Sequence, residues 1–186
     1  MKRLTDEALV LRCQATKSPD AFSELVKRHQ SNLRHFVRRL SGGDHALADD
    51  VVQEAFWAAY RNIHQFRAES TFSTWLHKIA YHHFLTMKKR WQPVPLPMPP
   101  ARSPMQDPDK DIVVEQLMRH LSVKERLVMT LAYGAGFSHA EIAQVAEMPV
   151  GTVKSIQRRA TQKLQRWLDD ASCAPGLEEK NRCQRS

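Results

Sequence analysis

The stretch from Ser138 to Leu168, SHAEIAQVAEMPVGTVKSIQRRATQKLQRWL, limits what this chain can fold into more than any other part of it. It reads as two helices joined by a tight turn. Ser138 followed by Glu141 is a capping-box pattern, in which each side chain satisfies an orphan amide at a helix start. Ile142, Ala143 and Ala146 then give a short helix one small apolar face. Pro149 and Gly151 bracket a break, because these two residue types have the lowest helix propensity. Past Gly151, the apolar residues Val153, Ile156, Ala160, Leu164 and Trp167 recur at steps of three and four, which is helical spacing. Lys154, Arg158, Arg159, Lys163 and Arg166 fall between them, and no acidic residue intervenes before Asp169.

A short capped helix, a tight turn and a cationic helix match the helix-turn-helix, whose second helix enters the DNA major groove. Arg and Lys read guanine edges there, while Thr152 and Ser155 are suited to holding phosphate. A charged stripe opposite an apolar one is often only a solvated face. The capped helix in front of it and the single sign of its charge favour DNA here.

The rest of the composition agrees. The chain has 186 residues, room for one domain or two small ones, and a formal net charge of +8 that favours a polyanionic partner. Cys13, Cys173 and Cys183 are too few and too scattered for a disulfide framework, which fits a reducing cytoplasm. No signal peptide and no apolar run of membrane-spanning length is visible in the sequence. Glycine is scarce and alternating strand patterns are absent, so the expected class is all-α: two small helical domains joined by a Pro-rich linker, the C-terminal one a helix-turn-helix.

In chain order, Leu4 to Thr16 reads as a first helix carrying Leu9, Val10 and Cys13. Pro19 and Asp20 open a second, which runs to the stop signal Ser41-Gly42-Gly43. Asp44 is placed to cap a third, ALADDVVQEAFWAAYRNI, whose Asp49, Asp50, Gln53 and Glu54 make an acidic surface in an otherwise basic half. Such a ridge fits either a protein partner, since DNA would repel it, or a solvated face helped by the helix dipole. After the loop from His64 to Glu69, a helix capped near Ser70 mixes rings with cations. Phe72, Trp75, Tyr81, His82, His83, Phe84 and Trp91 alternate with Lys78, Lys88, Lys89 and Arg90. That interleaving suits unpaired nucleic acid, where bases stack on rings and cations hold the backbone. Taken one at a time, Trp75, Ile79 and Phe84 fit a core better than a strand-binding face. Thr74, Lys78, His82 and the Lys88 to Arg90 cluster are the polar candidates.

Residues 92–111 form the linker. Seven of the ten prolines lie between Gln92 and Pro108, a pattern that favours extended polyproline II. The expected domains are therefore 1–91 and 112–170, with a polar tail over 171–186. Ile112 to Leu121 and Ser122 to Ala132, the latter opened by a second capping box with Glu125, should pack on the helix-turn-helix. Leu117, Leu121, Leu127, Val128 and Leu131 are the expected core there. Cys173 and Cys183 without histidine neighbours make a poor metal site, and no metal ligand set, cofactor or small-molecule substrate is expected.

DDVVQEAFWAAY, then FRAESTFSTWLHKIA, then a linker, then LSVKERLVMTLAYGAGFSHAEIAQVAEMPVGTVKS together resemble the extracytoplasmic-function (ECF) sigma factors of bacteria, the small two-domain members of the sigma-70 family. The resemblance covers Ala21 to about Leu168. It implies a dissociable subunit, without enzymatic activity, that binds core RNA polymerase, directs it to promoters and helps to melt them. It implies that Asp49, Asp50, Gln53 and Glu54 dock on core polymerase. It implies that Phe66, Arg67, Ser70, Thr71, Thr74, Trp75, Lys78, His82, Lys88, Lys89 and Arg90 serve the unpaired minus-ten strand. Thr152, Lys154, Ser155, Arg158, Arg159 and Lys163 would serve the duplex minus-35 element. An anti-sigma factor, commonly membrane-bound, is a further implied partner.

The sequence departs from the family pattern at Ile156, at Tyr81-His82 and at Trp57. The first two are expected to bear on promoter sequence. The competing reading is an autonomous helix-turn-helix regulator, dimeric and bound to a palindrome. The aromatic-basic helix and the lack of a zipper or ligand-pocket signal argue against it. An enzyme is disfavoured because no Walker loop, H-E-x-x-H or G-x-S-x-G string occurs.

Overall fold

The computed structural model describes residues 4–16, 18–90 and 108–173. Helices are the only regular structure among them. The N-terminal half holds α1 (Asp6–Thr16), α2 (Pro19–Ser41), α3 (His45–Asn62) and α4 (Phe72–Arg90), with a 3-10 turn at Ile63–Gln65. The C-terminal half holds α5 (Pro108–Arg119), α6 (Val123–Met129), a π-helical turn at Thr130–Gly134, α7 (His139–Ala146) and α8 (Val150–Cys173).

Local chemistry explains most of the boundaries. Ser18 caps α2 by accepting from the Ala21 amide, and Pro19 at the first position lacks the N–H that would go unpaired there. Gly42 ends α2 in the left-handed region (φ 76°), where its amide returns to the Arg38 and Arg39 carbonyls. Asp44 caps α3 through the Leu47 amide. Thr71, rather than Ser70, caps α4: its Oγ1 accepts from the Thr74 amide at 3.1 Å. Both capping boxes form, Ser122 with Glu125 and Ser138 with Glu141. Helix α5 begins at Pro108, four residues before the expected start at Ile112. The break before α8 lies at Glu147 to Pro149, with Glu147 left-handed (φ 52°), and Gly151 falls inside the first turn of α8. The expected linker, apart from Pro108 to Asp111, and the tail from residue 174 lie outside the described residues.

The two halves do not keep separate cores. Leu25, Leu33, Phe36, Val37, Leu40, Val51, Leu76 and Phe84 of the first half are buried in one cluster with Leu127, Val128, Leu131, Ile142, Val145, Val153 and Ile156 of the second. A smaller cluster of Met118, Leu121, Met129 and Ala160 ties α5 to α8. Met118 is buried there, whereas the expected core residue Leu117 is only half-buried. Helix α7 packs along α4, and α5, α6 and the π turn pack on α2. Phe36 of α2, His77 of α4 and Phe137 from the loop before α7 form an edge-to-face stack, with centroids 4.9 and 5.0 Å apart. Arg119 Nε donates to the Gly42 carbonyl at 2.9 Å. No described helix is long and apolar enough to cross a membrane.

Candidate nucleic-acid and polymerase interfaces

Three surfaces follow from these elements. On α3 the apolar positions Ala48, Val51, Val52, Ala55, Phe56 and Ala59 turn inward. Asp49, Asp50, Gln53 and Glu54 are thereby left exposed on the opposite side. Trp57 stands beside them, 58% exposed and stacked near Tyr60. Asp49 is partly neutralised by Arg34 at 3.0 Å and by Arg38 at 4.0 Å, so Asp50 and Glu54 carry most of the open negative charge.

The second surface surrounds the start of α4. Phe66, Phe72 and Trp75 meet in a tilted aromatic cluster with centroids 5.4 to 6.2 Å apart. Phe66 and Phe72 are buried, and Trp75 is half-buried. The loop ahead of α4 turns through Ala68 in the left-handed region (φ 57°). A concave surface opens beneath it, lined by Glu7, Phe66, Ala68, Ser70, Thr71 and Phe72. Arg67 and Thr71 are exposed at its rim, as are His82, Lys88, Lys89 and Arg90 further along α4.

Two residues expected to meet the unpaired strand are engaged by the C-terminal half instead, Thr74 buried and Lys78 half-exposed. Thr74 is 2% exposed and donates to Glu141 Oε1 at 3.2 Å. Lys78 pairs with Glu147 at 2.9 Å, and His82 approaches the same carboxylate at 3.6 Å. The Lys78 bond holds the Glu147 carboxyl below its ordinary range, and the Ser138 amide and hydroxyl do the same for Glu141. Tyr81 is buried beside them, its hydroxyl pushed up first by burial and then by Glu147. The departure at this position therefore lies in packing, and only His82 of that pair reaches solvent. His77 is 1% exposed, and burial lowers its pKa to about 4. Its Nδ1 donates to the Ser73 carbonyl at 2.8 Å, and its buried Nε2 has no hydrogen-bond partner.

The third surface is α8. Val153, Ile156 and Ala160 are buried against the core, so Ile156, the other departure, faces inward rather than toward a ligand. Thr152, Lys154, Arg158 and Arg159 are exposed, and Ser155 is half-exposed with its hydroxyl returned to the Thr152 carbonyl. Lys163 is placed differently: its Nζ lies 2.7 Å from Glu125 on α6, where it braces the capping box. Tyr133, His139 and Gln157, which periodicity did not single out, share a groove with Lys154 and Arg158. No cluster of three or more metal-ligating side chains exists among the described residues.

An acidic helix, an aromatic loop and a cationic helix-turn-helix, with helix as the only regular structure among the described residues, outline a class: a helical DNA-binding protein. Comparison with known proteins narrows it. Residues 25–92 match the model of sigma-70 region 2, and residues 117–166 match that of sigma-70 region 4. The ECF RNA polymerase sigma-E factor of Haemophilus influenzae is 33% identical over 184 residues, covering 88% of this chain and 95% of that protein. The sigma-E factor of Escherichia coli K12 is also 33% identical, over 88% of this chain and 94% of its own length. Among solved structures, CnrH in complex with the cytosolic domain of CnrY superposes with a TM-score of 0.71 at 25% identity, over 89% of this chain and 97% of that one. The sigma factor RpoE of Bartonella quintana, in complex with the anti-sigma factor NepR, gives 0.63 at 26% identity, over 80% of this chain and 96% of that one. The chain belongs to the ECF sigma factors of the sigma-70 family, the dissociable subunits that bring core RNA polymerase to promoters.

Proposed function

We propose that the three surfaces divide the work of a sigma factor among named residues. Asp50, Gln53, Glu54 and Trp57, with Asp49 at the margin, dock on core polymerase: carboxylates followed along the helix by an exposed indole fit a basic partner with an apolar spot beside its charge. The concave surface under Ala68 receives an unpaired base of the minus-ten strand, with the Phe66 and Phe72 rings in its lining, Trp75 packed behind them, and Arg67, Ser70 and Thr71 at its edge. Lys78, His82, Lys88, Lys89 and Arg90 follow the backbone of that strand. Thr152, Lys154, Ser155, Arg158 and Arg159 meet the minus-35 duplex. Lys163 contributes by holding Glu125.

The observation that carries this reading is the segregation of charge. Acid is gathered on the outer face of α3, and cations are gathered on α8 and the end of α4. The burial of Thr74 adds a condition: α7 must leave α4 before the strand can reach it, and Lys78 must give up its ion pair with Glu147. The CnrH superposition spans both halves of this chain, and that relative is bound by the domain of another protein. By extension, an anti-sigma factor holds this chain in the closed form, in the cytoplasm and away from polymerase. An autonomous repressor offers no use for the acidic ridge.

The test is reconstitution with bacterial core polymerase, scored by co-elution and by permanganate footprints of open promoter DNA. Glu54→Lys should cut core affinity at least tenfold while leaving duplex binding by the free chain unchanged. Unaltered core affinity would remove the docking role from α3.

A further inference from the structure

Helix α6 does not run smoothly into the loop before α7. Between Thr130 and Gly134 it widens into a π turn, closed by the Ala135 amide on the Thr130 carbonyl at 3.1 Å. Single π turns are rare and are found frequently at functional sites. This one presents Tyr133, 67% exposed although the fully buried Leu131 lies two residues before it. It stands over the first half of α8, beside Lys154 and Arg158.

Two hydrogen bonds hold it there. His139 Nε2 lies 2.7 Å from Gln157 Oε1, and Gln157 Nε2 donates to the Tyr133 hydroxyl oxygen at 3.0 Å. The bonding has a direction. The Gln157 carbonyl can only accept, so the His139 ring donates to it, and the Gln157 amide donates onward to Tyr133. The phenolic oxygen is thus an acceptor in the chain, and its own proton remains to be donated outward. An outward O–H flanked by two cations in a concave groove is a site for an anionic oxygen.

We propose that Tyr133 is a DNA-contacting residue of this sigma factor outside its helix-turn-helix. It donates its hydroxyl to a backbone phosphate of the minus-35 duplex, and Gln157 and His139 are the positioning residues that aim it. The contact fixes how deeply and in what register α8 sits in the groove, because phosphate contacts set position and base contacts set sequence. This rests on the assignment of α8 to the minus-35 duplex.

The experiment uses the full chain reconstituted with core polymerase. Duplexes selected by the wild-type holoenzyme from a random-sequence library provide the probe, and affinity is measured by fluorescence anisotropy over a range of salt. Tyr133→Phe keeps the ring and removes the donor. It should weaken binding about tenfold to a hundredfold, as for loss of a hydrogen bond to a charged acceptor, with the preferred sequence unchanged. Its salt slope should match the wild type, since no cation is lost, whereas Lys154→Ala should flatten the slope by about one phosphate contact. Gln157→Leu should reproduce the loss, and the double substitution should be no worse than either single one. Wild-type affinity in Tyr133→Phe overturns the inference. So does a change of preference at one base position, which would make Tyr133 a base reader. Failure of the wild-type holoenzyme to select any duplex overturns instead the assignment of α8 on which it rests.

Discussion

Replacing His77 with Leu should remove about 2 kcal/mol of acid destabilisation from this fold between pH 7.5 and 5. The imidazole is sealed between Phe36 and Phe137, with a bare ring nitrogen facing the apolar cluster. Burial is the main reason its pKa falls to about 4, and His29 on α2 pushes in the same direction. The unfolded chain takes up this proton near pH 6.5 and the folded chain only near pH 4, so lowering the pH between those values favours unfolding. The stability is fully present above the higher value and is lost on the way down. The whole interval corresponds to about 3 kcal/mol, of which about 2 kcal/mol is gone by pH 5. For a domain of this size that is a sizeable share of the total. Urea unfolding at pH 7.5 and 5.0, followed by circular dichroism in both proteins, isolates the residue, because other titrating groups cancel in the comparison. His77→Leu should lie close to wild type at pH 7.5, because it loses the Nδ1 bond to the Ser73 carbonyl but also removes the unpaired Nε2 from the core. At pH 5 it should exceed wild type by about 2 kcal/mol. An identical loss in both proteins would mean that His77 is reached by water in the folded state.

Other positions give simpler tests. Glu125 is burdened by burial, but Lys163 and Ser122 together hold its pKa below the ordinary value. Glu125→Ala should therefore cost about 1–2 kcal/mol by removing a cap at neutral pH, and the penalty should shrink as pH falls through the carboxylate range. Gly42→Ala should destabilise by about 1 kcal/mol or more in thermal melts, because φ is 76° and a methyl group there meets the Arg126 guanidinium. Glu147→Gln should change overall stability by under about 1 kcal/mol, since its ion pair with Lys78 is half-exposed. It should nonetheless raise the affinity of the free chain for single-stranded DNA, read by anisotropy with a random oligonucleotide; no gain would mean that Lys78 is not freed.

Much of this was legible in the sequence. Caps are local, so Asp44, Ser122 and Ser138 announce their helices within one turn, whereas the start of α2 is read from Pro19 rather than from its cap, Ser18, beside it. The exposure of Asp50 and Arg158 follows from helical period once the apolar face is known. What periodicity could not give is which apolar faces meet. Leu127 and Val128 look like the core of a small second domain, yet they share a cluster with Leu40 and Phe84. Nor does spacing show that Glu141, already used in a cap, has a second oxygen for Thr74. Lys163 has the right spacing for the cationic stripe, but lies on its flank within reach of Glu125. Tyr133 escaped notice because a π turn breaks the 3.6-residue period that locates an outward face. One signal was available: a tyrosine between small residues in LAYGAG, next to a capping box, is an unusual place for a large ring.

The shared apolar cluster has a consequence for how the molecule comes apart. Two domains with private cores would melt independently. A single cluster that takes Leu25 and Phe36 from one side, and Leu131 and Ile142 from the other, should make these helices melt together, in one calorimetric transition. Parting the halves is then a partial unfolding rather than the swing of a hinge, and it lays bare Phe137 and the inner faces of α6 and α7. A species with that much new apolar surface is prone to stick and to be cut by proteases. The opened chain lasts only while another macromolecule covers those faces, so its lifetime outside polymerase is set by its own core.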